Sequence, residues 1–242
     1  MKRLMRLPSL RIVVAAVSLL WAGCSATPVP EPPAATLDFG RIHGPDVMPA
    51  TTVIEIIGDP GAGPPGHVLR VTNLDDVQAP VDAVIAADGS FSLSIAGDQS
   101  DELRFHTRVG RTRDLPVDLV WSPAHVVAPN RIDCVDLVPL QQQDFGLSDV
   151  GGAPVTRTVA LHSSCPDPVR VDAARLRRDG SPFAIATGAP ALPANVASGA
   201  DLGWTLDLSA AQVGDTEEII FLEITHGEAA ARYPVTLFGD GR

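Results

Sequence analysis

The stretch Asp88–Val109, DGSFSLSIAGDQSDELRFHTRV, decides the fold class. In Ser90–Ile95, Phe91, Leu93 and Ile95 point one way and the serines between them point the other. Period-two alternation of this kind makes a strand with one dry face and one wet face. Glu102–Val109 repeats the pattern, with Leu103, Phe105, Thr107 and Val109 predicted dry and Arg104, His106 and Arg108 predicted wet. Asp88-Gly89 stands between the apolar run Pro80–Ala87 and Ser90–Ile95, a placement that predicts a hairpin turn because both positions favour positive φ. Working outward, Thr51–Ile57 and His67–Thr72 read as further strands separated by the loop Gly58–Gly66 (GDPGAGPPG). About six or seven short strands at this spacing predict a sandwich over residues 37–122. The glycine-rich loop is no phosphate cradle: Pro60, Pro64 and Pro65 interrupt it, no Lys follows, and a strand rather than a helix comes next.

The same signal fills the C-terminal half. Val155–Ser163, Val169–Leu176, Phe183–Thr187, Asp201–Leu208, Glu218–Thr225 and Arg232–Phe238 all read as strands. Leu202, Trp204, Leu206 and Leu208 alternate with Gly203, Thr205 and Asp207 to give an aromatic-bearing inner face. His226-Gly227-Glu228 predicts a hairpin connection and Asp179-Gly180 another turn. A second sandwich is therefore expected over residues 124–242. The whole chain has 242 residues, 45% hydrophobic but only 5% aromatic, with 22 Pro and 21 Gly. That mixture suits two units of about 100 residues built from short strands.

Pro-Gly-Ala at the glycine-rich loop, the Val-rich strand ending in Thr72-Asn73, Asp88-Gly89-Ser90-Phe91-Ser92 and Asp101-Glu102-Leu103 together resemble bacterial immunoglobulin-like modules. Asp144-Phe145-Gly146, the strand Arg157–His162, Gly180-Ser181-Pro182-Phe183, the strand 202–208, Val213-Gly214 and the terminal Val235–Gly241 resemble the ASH, or choice-of-anchor D, modules. The second likeness departs at Ser163-Ser164-Cys165-Pro166, where that family has an Asn-x-Gly turn. The resemblances imply an all-β chain of two tandem immunoglobulin-like β-sandwich domains, used outside the cytosol as non-catalytic interaction or spacer modules.

Residues 1–23 have a basic start (Met1–Arg11), an apolar run (Ile12–Trp21) and the small pair Ala22-Gly23, which is the make-up of a signal peptide. The apolar run is short for a bilayer span. Leu19–Cys24 (LLWAGC) resembles the bacterial lipobox, with Trp21 standing where that family carries an aliphatic residue. The resemblance implies lipidation of Cys24, anchoring to a membrane through several acyl chains, and, with Ser25 following, sorting to the outer membrane; a periplasmic or secreted protein is the alternative. Residues 24–36 form a Pro-rich tether.

The formal charge is −11, and Lys2, Arg3, Arg6 and Arg11 all precede Cys24, so a processed chain is more acidic still. Such a surface repels phosphate backbones, and no nucleic-acid partner is expected. With Cys24 assigned to lipid, Cys134 and Cys165 remain as a candidate disulfide. Two free thiols, or a thiol nucleophile paired with His162, are the alternatives; positions three apart on a strand face opposite ways, which disfavours the latter. The histidines at 43, 67, 106, 125, 162 and 226 show no close-spaced ligand pattern, and His106 and His162 fall on wet phases. The acidic clusters Asp75-Asp76, Asp98–Glu102 and Asp215–Glu218 are expected in turns and lack a calcium-loop pattern. No catalytic residue, cofactor or metal ligand is assigned. The expected role is binding or spacing for a protein or envelope polymer; a secreted hydrolase or metal-dependent enzyme on a β scaffold, and an accessory subunit of an envelope assembly, are the rivals.

Overall fold

The computed structural model describes residues 37–44, 53–122 and 126–242. The expected signal peptide 1–23, Cys24 and the tether 24–36 lie outside the described residues. After a single 3₁₀ turn, Phe39–Arg41, the described residues are strands and connections.

The first sandwich contains β1 (Ile42–His43), β2 (Val53–Gly58), β3 (Val68–Asn73), β4 (Val81–Val84), β5 (Phe91–Ala96), β6 (Glu102–Val109), β7 (Thr112–Arg113) and β8 (Val117–Val120). One sheet runs β1-β2-β5 and the other β4-β3-β6-β7, with β8 also on β6. β7 pairs the end of β6 and β8 its start, so the last strand is broken in two. Ile54, Ile56, Leu69, Val71, Phe91, Leu93, Ile95, Leu103, Phe105 and Trp121 fill the space between the sheets.

Asp88-Gly89 is a corner between sheets rather than the predicted hairpin: β4 pairs with β3, whereas β5 pairs with β2. The turn chemistry is the expected one, with Gly89 at φ 86° and the Asp88 carboxylate accepting from the Ser90 N–H at 3.0 Å. What redirects the chain is packing from the glycine-rich loop, whose Gly61 and Gly63 N–H groups donate to the Asp88 and Gly89 carbonyls at 2.7 and 3.0 Å. A Cβ on Gly89 would lie 2.8 Å from Gly61 N and Gly63 O. Only glycine fits.

The second sandwich contains β9 (Val135–Val138), β10 (Gln142–Ser148), β11 (Val155–Ser163), β12 (Val169–Leu176), β13 (Phe183–Ile185), β14 (Ala194–Val196), β15 (Ala200–Leu208), β16 (Gly214–His226) and β17 (Ala229–Gly241). Its sheets run β13-β15-β11-β9 and β10-β17-β16-β12-β14. This is the strand order of an immunoglobulin-type sandwich. The first strand is divided, β9 joining one sheet and β10 running parallel to β17 in the other. One departure stands out: the chain leaves β12 to pair with β15 as β13, then returns to pair with β12 as β14. Trp204, Leu206 and Leu208 of β15 pack with Phe145, Val159, Leu161, Phe183, Leu222 and Val235. The β16–β17 hairpin closes at Gly227-Glu228, with Gly227 at φ 59°.

A disulfide joins Cys134, just before β9, to Cys165, just after β11. It staples neighbouring strands of one sheet. Replacing both cysteines with alanine is expected to lower unfolding free energy by about 3–4 kcal/mol in the chain-entropy model, because the bridge closes a sequence separation of 31 residues. Urea unfolding of the double variant against the oxidised parent measures it.

Candidate functional site

The predicted wet face of β6 is dry. Arg104 is 0% exposed and His106 2% exposed, because the outer face of the β3–β6 sheet packs on the outer face of β16–β17. The two sandwiches are thereby joined along a seam. At its centre Arg104 makes a fork to Asp118 of β8, Nε to Oδ1 at 2.7 Å and Nη2 to Oδ2 at 2.8 Å. The remaining donors cross the seam: Nη1 to Thr236 Oγ1 at 2.8 Å and Nη2 to the Pro234 carbonyl at 2.7 Å, both on β17, and Nη1 also to the Gln141 carbonyl at 3.4 Å. A guanidinium removed from water in this way must have its donors filled.

Other arginines bind in both directions. Arg70 of β3 holds Asp82 at 2.7 Å and reaches Glu217 of β16 at 3.0 Å. From the second sandwich, Arg232 reaches Asp75 at 2.8 Å and Glu102 at 3.1 Å, and Arg177 donates to the Asp76 carbonyl at 2.9 Å. Arg131, in the connection between sandwiches, pairs with Glu102 and stands 3.3 Å from Asp118. Leu74, Ile219 and Phe221 form a small apolar nucleus among these charges. The Tyr233 hydroxyl accepts from Ile132 N–H at 2.6 Å and donates to Ile132 O at 2.9 Å, pinning the connection next to Arg131.

At one end of the seam Asp215 and Asp240 face each other across β16–β17. Arg108 and Arg113 approach Asp215 at 3.0 and 3.7 Å, Arg111 pairs with Asp240, and the Arg113 guanidinium lies 4.3 Å from the centre of the Phe238 ring. The hydrogen bond shared by the two carboxyl groups raises Asp240 and lowers Asp215, and the arginines beside Asp215 reinforce its charge. This acidic cluster was expected in a turn; it lies within β16. Asp75 is likewise consumed, accepting the Glu102 N–H at 2.7 Å.

A cleft of about 710 Å³ opens beside the seam, lined by Val117, Asp118, Pro129, Asn130, Arg131 and Gln141. Its size is in the range of small-ligand sites, but Asp118 and Arg131 are already bound to partners in the seam. His162 is on the half-exposed face of β11 and its Nδ1 lies 2.6 Å from Asp201 Oδ1. Cys165 is in the disulfide, so no thiolate stands ready to pair with His162. His226, from the end of β16, comes beside both disulfide sulfurs.

The sequence did carry one signal for the seam. Ile219-Ile220-Phe221-Leu222 is an unbroken apolar run, and its residues are buried on both faces of the sheet. Continuous apolarity marks a strand covered on both sides, whereas alternation marks one covered on a single side. For Arg104 and His106 no such signal exists, since a polar residue on a strand's outer phase reads as solvated.

No family model matches the chain, and no curated protein matches it. Among solved structures it is similar to the VesB protease of Vibrio cholerae, with TM-score 0.40 and 9% identity over 72% of this chain and 62% of that one. The chain thus spans less than two thirds of that protease. It is also similar to the ASH / PapD-like domain of human CEP192, with TM-score 0.39 and 12% identity over 50% of this chain and 96% of that one. The cadherin-like domains 1 to 4 of zebrafish RET give TM-score 0.29 and 11% identity over 73% of this chain and 40% of that one. The immunoglobulin-type assignment rests on the strand order of the two sandwiches.

Two outcomes are expected from the seam. Arg104→Ala strips Asp118 of its fork and costs about 3–5 kcal/mol in urea unfolding, as breaking one partner of a buried pair does; Arg104→Lys fails to restore it, lacking the planar fork. Burial lowers the His106 base to about 4, against the pull of Glu217 and with reinforcement from Arg70, Arg104 and Arg113. Between pH 6.5 and 4 the unfolded chain therefore takes up a proton that the folded chain refuses. Stability should fall as pH falls through that window by up to about 3 kcal/mol. Carboxylates held low, such as Asp82 and Asp215, lose their contribution only below their ordinary value of 3.8. The difference between parent and His106→Gln across a pH series of urea midpoints isolates the imidazole.

Proposed function

We propose that the chain is an exported envelope protein, lipid-anchored through Cys24, whose paired sandwiches act as a non-catalytic binding or spacing block for a protein or envelope polymer. The observation that carries the reading is the use made of the charged side chains. Arg70 with Glu217 and Arg232 with Glu102 are spent across the seam, and the Arg104–Asp118 pair is buried within it with Arg104 donating onward to Thr236 and the Pro234 carbonyl, which welds two immunoglobulin-type units into one block. Catalytic groups must instead be kept available to a substrate.

Binding would use sheet edges. Among the described residues β5 has β2 on one side and ends its sheet on the other, so its six-residue edge (Phe91–Ala96) can offer backbone groups to an extended partner segment. The resemblance of Leu19–Cys24 to the lipobox supports the anchor, and the Pro-rich residues 24–36 would hold the block off the membrane.

The anchor is tested by metabolic labelling with palmitate in a bacterial host. The parent should carry label and sediment with membranes; Cys24→Ala should lose the label, and a variant that keeps it overturns the anchor. The non-catalytic reading is tested on the detergent-purified full chain with a panel of ester, peptide and glycoside substrates. Turnover abolished by Asp240→Asn would overturn it, since that carboxyl is the one raised by a facing acid.

A further inference from the structure

Three residues far apart in sequence meet at one end of the second sandwich. Cys134 enters β9, Cys165 leaves β11, and His226 ends β16 in the facing sheet. The two sulfurs and a ring nitrogen of His226 all lie within 4.8 Å of one another. In tetrahedral zinc sites, metal–sulfur bonds of about 2.3 Å and metal–nitrogen bonds of about 2.0–2.1 Å set ligand atoms roughly 3.5–3.8 Å apart. Once the sulfur–sulfur bond is broken, both cysteine side chains are free to rotate toward that spacing. We propose that Cys134, Cys165 and His226 form a redox-gated site for a thiophilic cation of the zinc class, closed while the cysteines are joined and open once a dithiol has reduced them.

Backbone contacts keep the ligands in place independently of the sulfur–sulfur bond. β9 and β11 pair from Ser163↔Val135 onward, and Ser164 N–H donates to the Cys134 carbonyl at 2.8 Å. His226 is fixed opposite Ala229 where the β16–β17 hairpin closes. Its ring makes no hydrogen bond or ion pair with another described residue, so a lone pair is available to a metal. Cys165 is buried, while Cys134 and His226 are partly exposed, leaving one side for a water as fourth ligand. A sulfur-and-imidazole set selects zinc, cobalt or cuprous copper over magnesium and calcium.

The chemistry balances with a dithiol as reductant. It gives two electrons and two protons, the Cys134–Cys165 bond breaks into two thiols, and the reductant closes to its own cyclic disulfide. Binding of the divalent cation then displaces both thiol protons, leaving two thiolates and a neutral imidazole around it.

The test uses the full chain in detergent carrying Cys24→Ser, in which Cys134 and Cys165 are the remaining cysteines. After dithiol reduction and anaerobic removal of the reductant, cobalt(II) is added alone. One equivalent should bind with thiolate charge-transfer and four-coordinate visible bands, and zinc should displace it; the oxidised protein should bind none. His226→Ala should weaken cobalt binding by about tenfold or more, since even outer-sphere losses at metal sites reach that size. Zinc should also slow alkylation of both thiols in the parent and not in His226→Ala. A reduced chain that takes up no cobalt, or that binds it only after losing its strand circular dichroism, overturns the site. So does a His226→Ala protein with unchanged spectrum and affinity.

Discussion

A guanidinium sealed from water is tolerable only where every donor finds an acceptor, and Arg104 meets that demand from both sandwiches at once. Asp118, on its own sheet, takes the charge; Thr236, the Pro234 carbonyl and the Gln141 carbonyl, on the other side, take the remaining donors. A slip of the two units by one residue would leave those donors empty in a dry place, at a cost of several kcal/mol. The pair therefore specifies one docking register more than it contributes net stability, which buried ion pairs often fail to do. Around it Arg70, Arg177 and Arg232 repeat the logic in both directions, and Leu74, Ile219 and Phe221 exclude water from the middle.

This constraint changes what the molecule is as an object. Two immunoglobulin-type units joined end to end would move as separate beads, and inter-domain motion is the ordinary expectation for small polar interfaces. Here β16 and β17 are covered on both faces, by their own core inside and by β3 and β6 outside. The connection between the units is fastened too, through Tyr233 on Ile132 and Arg131 on Glu102. The buried, neutral His106 is the weak point of such a seam, because protonation inside it has no compensating partner at hydrogen-bond distance: Glu217 stands 3.7 Å away.

One end of the second sandwich follows a different economy. There the staple is covalent, and a histidine from the opposite sheet completes a cluster of soft ligands beside it. The seam is built to hold one arrangement, whereas the Cys134, Cys165 and His226 group has two chemical states available to it. Both features sit where strands from different sheets converge.

The residues themselves determined the all-β class and the dry inner faces of both cores. Alternation in 90–95 and 202–208 states which side chains turn inward, and the hairpin at Gly227-Glu228 needs only a residue that accepts positive φ. These are local properties, set within a few residues by sterics and polarity. Tertiary structure alone decided that Asp88-Gly89 turns a corner between sheets, since the glycine-rich loop packs on it. It alone decided that Arg104 and His106 are buried and that His226 stands beside Cys134 and Cys165. The reason is shared: a strand's outer phase and a strand's end carry no record of what will be laid against them, because the groups that reach Arg104 from β17 lie 130 and 132 residues away and those beside His226 about sixty or more.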